Sequence, residues 1–149
     1  MGKSDSLLIR DMGFDDCDDV AQLEQTLGAT SWGLALFRGE FEMDQSRRTW
    51  FVAEVGGTIV AFAGISHVLR EANVLNIGVA KQYQSQGLGS TLVTRLLEVA
   101  ISNECQQIWL EVETTNSNAI LLYKKFGFDS INVRKDYYGK GRDLSLIHI

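Results

Sequence analysis

The chain has 149 residues, 45% of them hydrophobic and 22% charged, the balance of an ordinary globular domain. A single domain over residues 1–149 is expected; at that length it buries roughly 70% of its unfolded surface and needs no metal or disulfide staple. A formal net charge of −5 excludes a general binder of nucleic acid or acidic membrane, leaves any anionic ligand to local geometry, and suits a basic partner.

Leu7 to Arg10 reads as a first strand. Phe14 to Leu27 reads as a helix, with Val20, Leu23 and Leu27 at helical spacing and Asp15 and Asp16 in the first turn, where acidic groups suit the helix dipole. Ser31 is expected to cap a short second helix around Leu34 to Phe41. Thr49 to Val55 and Thr58 to Ile65 are strand-like, and Gly56-Gly57 between them signals a tight hairpin. Ala72 to Ala80 is the next strand. A helix then runs from Ser90 to Ser102; its stripe is Leu88, Leu92, Leu96 with Val93, Leu97 and Ala100.

Gln107 to Val112 follows as a strand, so the three elements predict a right-handed βαβ unit. Asn118 to Phe126 reads as a helix ended by Gly127, and Phe128 to Arg134 and Asp143 to Ile149 close the sheet. The chain stops inside an apolar run, which predicts a C-terminus close to the natural one or slightly altered.

Several classes drop out. Proline is absent, so no Pro-rich linker or recognition segment exists. No apolar run approaches the ~18 residues of a membrane span. Cys17 and Cys105 form no spacing motif and read as small core residues; without a signal peptide, a reducing cytoplasm is expected. His67 and His148 have no partner spacing with them, so no metal site is expected. Met1 to Ser6 formally fits a myristoylation pattern and reads as plain initiator sequence or a tag scar.

The informative stretch is Gln84-Ser85-Gln86-Gly87-Leu88-Gly89, set between the strand ending in Asn76-Ile77-Gly78-Val79 and the long helix. A glycine-bearing turn there leaves backbone N–H groups pointing outward at the positive end of the helix dipole, a site for phosphate or pyrophosphate. A dinucleotide loop would need glycine where Leu92 stands, and a P-loop would need Gly-Lys-Ser or Gly-Lys-Thr, which is absent. A kinase loop would need a much longer chain, and Gly-x-Ser-x-Gly, the serine-hydrolase signature, is also absent. A bare G-x-G is often only a tight turn. The strand before it and the amphipathic helix after it favour a ligand site.

Gln-x-x-Gly-x-Gly in that setting resembles the acyl-CoA signature of the GNAT acetyltransferase superfamily. The likeness continues through Leu75 to Val79, Tyr83 to Gly89, Trp109 to Val112, Asn116 to Tyr123, Phe126 to Phe128 and Arg134 to Tyr138. It covers residues 72 to 138 closely and the N-terminal third loosely. Within the superfamily these segments resemble the bacterial ribosomal-protein-alanine N-acetyltransferases of the RimI type.

The resemblance implies an α/β GNAT fold, a mostly antiparallel mixed sheet around a central βαβ unit with flanking helices. It implies direct acetyl transfer from acetyl-CoA to a protein N-terminal amine, without a covalent acyl-enzyme. Backbone groups of Ser85, Gln86, Gly87, Leu88, Gly89 and Ser90 would hold the pyrophosphate. Main-chain groups of Ile77, Gly78 and Val79 would orient the thioester, with the Val79 N–H as oxyanion donor, and Asn116 would hydrogen-bond the cofactor. Glu111 matches the general base and Tyr123 the general acid.

Glu24, Trp32, Tyr137 and Tyr138 resemble positions near the peptide entrance. Read without the resemblance, Glu111 is a solvated strand glutamate, Tyr123 and Trp32 are core aromatics, Asn116 is a helix-start residue, and the tyrosine pair is a strand-end patch. The family's usual Pro-Trp is Ser31-Trp32 here, and Gly78 replaces a more typical alanine, a change that reads as minor.

The expected acceptor is a basic ribosomal protein's N-terminus, with no direct nucleic acid and no membrane. Two alternatives stay open: a GNAT enzyme acting on a small amine or a lysine side chain, and a non-catalytic acetyl-CoA-binding regulator.

Overall fold

Continuous apolar runs at residues 50–53 and 60–65 bury both faces of the sheet. The computed structural model describes residues 6–27, 32–113, 122–127, 129–134 and 144–148. β1 (Leu7–Asp11) pairs antiparallel with β2 (Arg48–Val55), β2 with β3 (Thr58–Val68), and β3 with β4 (Glu71–Val79). Gly56 and Gly57 join β2 to β3 with φ of 58° and 84°, the left-handed pair that a tight hairpin needs. From β4 the chain crosses through α3 (Leu88–Ser102) to β5 (Gln107–Glu113), which lies parallel to β4, as the βαβ expectation requires.

The last two strands do not stack in chain order. β7 (Leu144–His148) inserts between β5 and β6 (Asp129–Arg134), so the seven-stranded order is β1-β2-β3-β4-β5-β7-β6.

One face of the sheet carries α3. Leu88, Leu92, Val93, Leu96 and Ala100 are buried against Phe51, Ala53, Ala61, Ala63, Ile65 and Ala72, with Leu97 packed at the margin. Each fully buried leucine here contributes roughly 1.5–3 kcal/mol of transfer free energy. The other face carries α1 (Cys17–Thr26) and α2 (Leu34–Glu40), which close over Met12, Val20, Phe37, Trp50, Val52 and Phe62. Cys17 is in this second core and Cys105 packs at the edge of the first, as expected for small apolar side chains.

Two expectations are corrected in detail. The first helix begins as a 3-10 turn at Phe14–Asp16 before α1. The N-cap of α2 is Gly33, at φ 81°, rather than Ser31, which lies outside the described residues. Glycine wins because the chain enters α2 through a left-handed residue, which a serine adopts only at a steric cost.

Charged groups fasten the second face. Arg10 on β1 forks onto Asp16 at 2.8 and 2.9 Å and reaches Glu54 at 3.4 Å, and that guanidinium holds the Asp16 carboxyl below the usual carboxylate range. Buried Glu40 accepts from the Trp50 indole at 3.1 Å and meets Arg48 at 3.4 Å. Among the described residues no helix is long and apolar enough to cross a membrane.

Candidate active site

The glycine-bearing loop is shaped by its own backbone angles. After a 3-10 turn at Lys81–Tyr83, Ser85 and Gly87 both take left-handed backbone, at φ 63° and 87°. Gly87 is the N-cap of α3, and the first intrahelical bond runs from the Thr91 N–H to its carbonyl at 3.1 Å. The N–H groups of Leu88, Gly89 and Ser90 therefore have no helical acceptor and point out of the helix end.

Two glutamines brace the loop. Gln84 donates through Nε2 to the Val79 carbonyl at 2.9 Å, and Gln86 donates to the Gln82 carbonyl at 3.1 Å. The sequence pointed to the glycines here and not to these braces.

The glycines have distinct reasons. A Cβ on Gly87 would meet nothing within 4 Å, so its left-handed φ is what requires glycine. A Cβ on Gly89 would lie 3.2 Å from Leu122 Cδ2, so that position also sets how closely the turn at 122–125 approaches α3.

Next to the loop the sheet parts. β4 pairs with β5 only through Glu71–Gln107, Ala72–Ile108 and Asn73–Trp109; beyond that, β5 pairs with β7 alone. β4 continues to Val79, and among the described residues no strand pairs with its β5-facing edge beyond Asn73. A bulge lies just past the parting, because Gly64 and Ile65 of β3 face Asn76 and Val74, leaving Leu75 between them.

The Ala80 N–H bonds to the Val60 carbonyl at 2.8 Å, which fixes the alternation that follows. In an antiparallel ladder the pair two residues back, Gly78–Phe62, also exchanges bonds, whereas Ile77 and Val79 turn their N–H and C=O the other way. Those two residues thus present backbone groups to the gap.

Gly78 faces β3 instead, and its role is one of space. A Cβ there would lie 2.6 Å from the Phe62 ring and 2.8 Å from Leu27. Glycine in place of alanine, a minor change by sequence, is demanded by this packing.

Tyr123 sits in the helical turn at 122–125, 4% exposed and packed into the core under α3. Burial pushes its phenol well above the ordinary tyrosine range. Glu111 lies in β5, two residues past the last β4 partner, in register with Leu146 of β7. The alternation expected around it holds at Ile108 and Leu110, which are buried, with half-buried Trp109 between them. Asn116, Tyr137 and Tyr138 lie outside the described residues.

On the opposite side of β4, Glu24 is buried at 7% exposure and accepts hydrogen bonds from Trp32, Gly33 and Asn76 among the described residues. Oε1 accepts from the Trp32 and Gly33 N–H groups at 2.9 and 3.2 Å, and Oε2 accepts from Asn76 Nδ2 at 2.7 Å. The Trp32 ring packs on Phe37 at 5.2 Å and edge-on to Trp50 at 5.6 Å. Both residues thus have structural partners at the place the sequence assigned to acceptor binding. Nothing in the sequence pattern singles out Asn76, because β4 also carries Glu71 and Asn73.

Both cysteines are free thiols, and burial raises both above the ordinary thiol range, which makes them poor nucleophiles.

A turn of outward N–H groups at a helix start, beside a parting between two parallel strands, suits an acyl-CoA-dependent acyltransferase. The chain belongs to the acetyltransferase (GNAT) family, which it matches over residues 17–128. Among its relatives, the [ribosomal protein bS18]-alanine N-acetyltransferase of Escherichia coli K12 is 34% identical over 134 residues, covering 89% of this chain and 88% of that one. The N-alpha-acetyltransferase RimI of Mycobacterium tuberculosis is 36% identical over 129 residues, covering 83% and 78%. The solved structure of the E. coli ribosomal-protein-S18-alanine N-acetyltransferase superposes with a TM-score of 0.85 at 29% identity, covering 97% and 93%.

Proposed function

We propose that this protein transfers an acetyl group from acetyl-CoA to the N-terminal α-amine of a protein, and that its acceptor is the N-terminal alanine of a small-subunit ribosomal protein. The observation that carries the reading is the β4 edge at Ile77 and Val79, which no described strand pairs, beside the turn of outward N–H groups that opens α3, in a chain whose relatives bear that activity in their names. A ribosomal acceptor agrees with the net charge of −5, which favours a basic partner, and with a cytoplasmic location.

The residues present fit acetyl-CoA on the loop's own geometry. Left-handed Ser85 and Gly87 with the open end of α3 form a concave set of N–H donors suited to a pyrophosphate. The bound co-substrate supplies a thioester whose carbonyl carbon is the electrophile. The Val79 N–H, turned toward the gap, donates to the carbonyl oxygen as charge develops on it.

A peptide α-amine has a pKa of roughly 7.7–8, so part of it must lose a proton at neutral pH. Glu111, on β5 past the parting, takes that proton directly or through water. The new bond joins the amine nitrogen to the acetyl carbon, the carbon–sulfur bond breaks, Tyr123 gives its proton to the departing thiolate, and the proton that the nitrogen sheds in becoming an amide returns by way of water to the Tyr123 phenolate. The upward push on Tyr123 keeps its phenol protonated through the neutral range. With both thiols buried or half-buried and raised, transfer is direct.

The test is CoA release with acetyl-CoA and an arginine-rich peptide beginning with alanine, run beside the same peptide N-terminally blocked. Turnover with the free peptide alone supports the reading. Acetyl-CoA binding with no turnover on either peptide overturns it, and turnover on polyamine or lysine acceptors instead would reassign the substrate.

A further inference from the structure

Glu24 and Asn76 are 52 residues apart in sequence and meet across the acceptor-side face of the sheet. Asn76 follows the Leu75 bulge on β4 and immediately precedes Ile77, one of the two residues whose backbone faces the gap. Glu24, in α1, holds the Asn76 amide on one oxygen and two consecutive backbone N–H groups, of Trp32 and Gly33, on the other. The short segment leading into α2 is therefore tied to the acyl strand through one carboxylate. Its second fastening is the Trp32 ring, wedged against Phe37 and Trp50.

A buried carboxylate is costly unless hydrogen-bonded, and the donors from Trp32, Gly33 and Asn76 offset that cost while the three elements keep this arrangement. The arrangement sets the distance between the Trp32–Gly33 segment and the strand that carries Ile77 and Val79.

We propose that Glu24 and Asn76 are a pair of positioning residues that fix the acceptor-side entrance relative to the acyl strand. In this view Glu24 acts through Trp32, Gly33 and Asn76 rather than by touching the acceptor amine. Bringing a cationic amine onto this carboxylate would displace donors it already holds. The inference rests on the acetyl-transfer reading for its consequence in catalysis, but the tether itself is a property of the fold.

A reciprocal exchange tests it. Asn76→Asp sets two carboxylates against each other where a 2.7 Å hydrogen bond now runs. Adding Glu24→Gln restores one donor facing one acceptor, with the charge moved from α1 to β4. Three quantities are measured on the full chain: the acceptor KM with the alanine peptide, the dissociation constant of acetyl-CoA, and amide hydrogen exchange at Trp32 and Gly33.

Asn76→Asp is expected to raise the acceptor KM about tenfold or more, the scale of one charge-assisted hydrogen bond, and to speed exchange at both amides. Acetyl-CoA affinity should change far less. The double variant should recover most of both losses. If Asn76→Asp does not fold, recovery of folding in the double variant reports the same rescue.

Additive loss in the double variant would overturn the proposal and return Glu24 to direct contact with the acceptor. Unchanged exchange at Trp32 and Gly33 in Asn76→Asp would overturn it as well. If the wild-type protein acetylates no N-terminal peptide, the substrate reading fails alone, because exchange and rescue are read without turnover.

Discussion

The two sides of the gap are made by different means. The proposed donor side is written into backbone conformation within a few consecutive residues: left-handed Ser85 and Gly87, the N-terminal end of α3, and two glutamine braces spanning at most five positions. The acceptor side is assembled from side chains far apart in the chain. There Glu24 bridges to Asn76, the Trp32, Phe37 and Trp50 rings pack together, and Trp50 lies across Gly64 so closely that a Cβ would come within 2.4 Å of its ring. A local device keeps its shape while its few φ angles are kept. A long-range device depends on three elements staying in register. Substitutions should therefore separate the two sides kinetically, donor constants moving on one side and acceptor constants on the other.

The largest effect expected is on chemistry. Glu111→Gln should lower kcat by about 10²–10⁴-fold if it is the base that accepts the amine proton, with acetyl-CoA affinity unchanged by calorimetry. Equal loss of donor binding would mean that the two sides are not separable at β5.

Gly78→Ala comes next. The added methyl must displace the Phe62 ring or Leu27, and such overpacking costs about 1–3 kcal/mol. For a chain of this size each kcal/mol lowers the melting midpoint by roughly 2–4 °C. Because the strain falls on the α1 face, the acceptor KM should rise while the acetyl-CoA dissociation constant holds. A calorimetric melt with no shift would show that the face is looser than the contact distances require.

The legibility of the chain follows the same division. The hairpin at Gly56-Gly57, the α3 stripe, the βαβ unit and the glycine turn that opens α3 could all be read, because each is a local pattern of period or turn residue. The insertion of β7 between β5 and β6 could not, since nothing local in Asp129–Arg134 says which strand will separate it from β5. Glu24 and Trp32 were named as acceptor residues through resemblance, but their hydrogen-bond and ring partners come from contacts that spacing does not reveal. The space demanded at Gly78 was passed over for the same reason: the ring that fills it belongs to another strand. Side-chain capping preference points to Ser31 as the cap of α2, whereas the left-handed entry that Gly33 supplies sets it in the fold.

Gly87→Ala probes the donor side directly. Its φ of 87° costs an L-residue about 1–2 kcal/mol, and no neighbour lies near enough for packing to add to that. The loop should relax toward right-handed backbone and turn its N–H groups away from a common centre. The acetyl-CoA dissociation constant should rise by about tenfold, the acceptor KM by much less. A change in the acceptor KM alone would invert the comparison.

Gln84→Ala should give the smallest change and the finest resolution. The Gln84 amide spans from the loop to the Val79 carbonyl, joining the anion site to the end of the acyl strand. Gln84 is exposed, so water can replace the lost donor, and the net value of such a bond is about 0.5–1.5 kcal/mol, or two- to tenfold in an equilibrium constant. If the brace only shapes the loop, the loss appears in acetyl-CoA affinity and kcat is retained. If it also holds Val79 in the orientation that turns its N–H to the gap, kcat falls with it. Because Gln84 touches neither Glu24 nor the aromatic cluster, the acceptor KM should stay fixed in both cases. A shift there would show that the β4 terminus transmits strain from the local device to the long-range one.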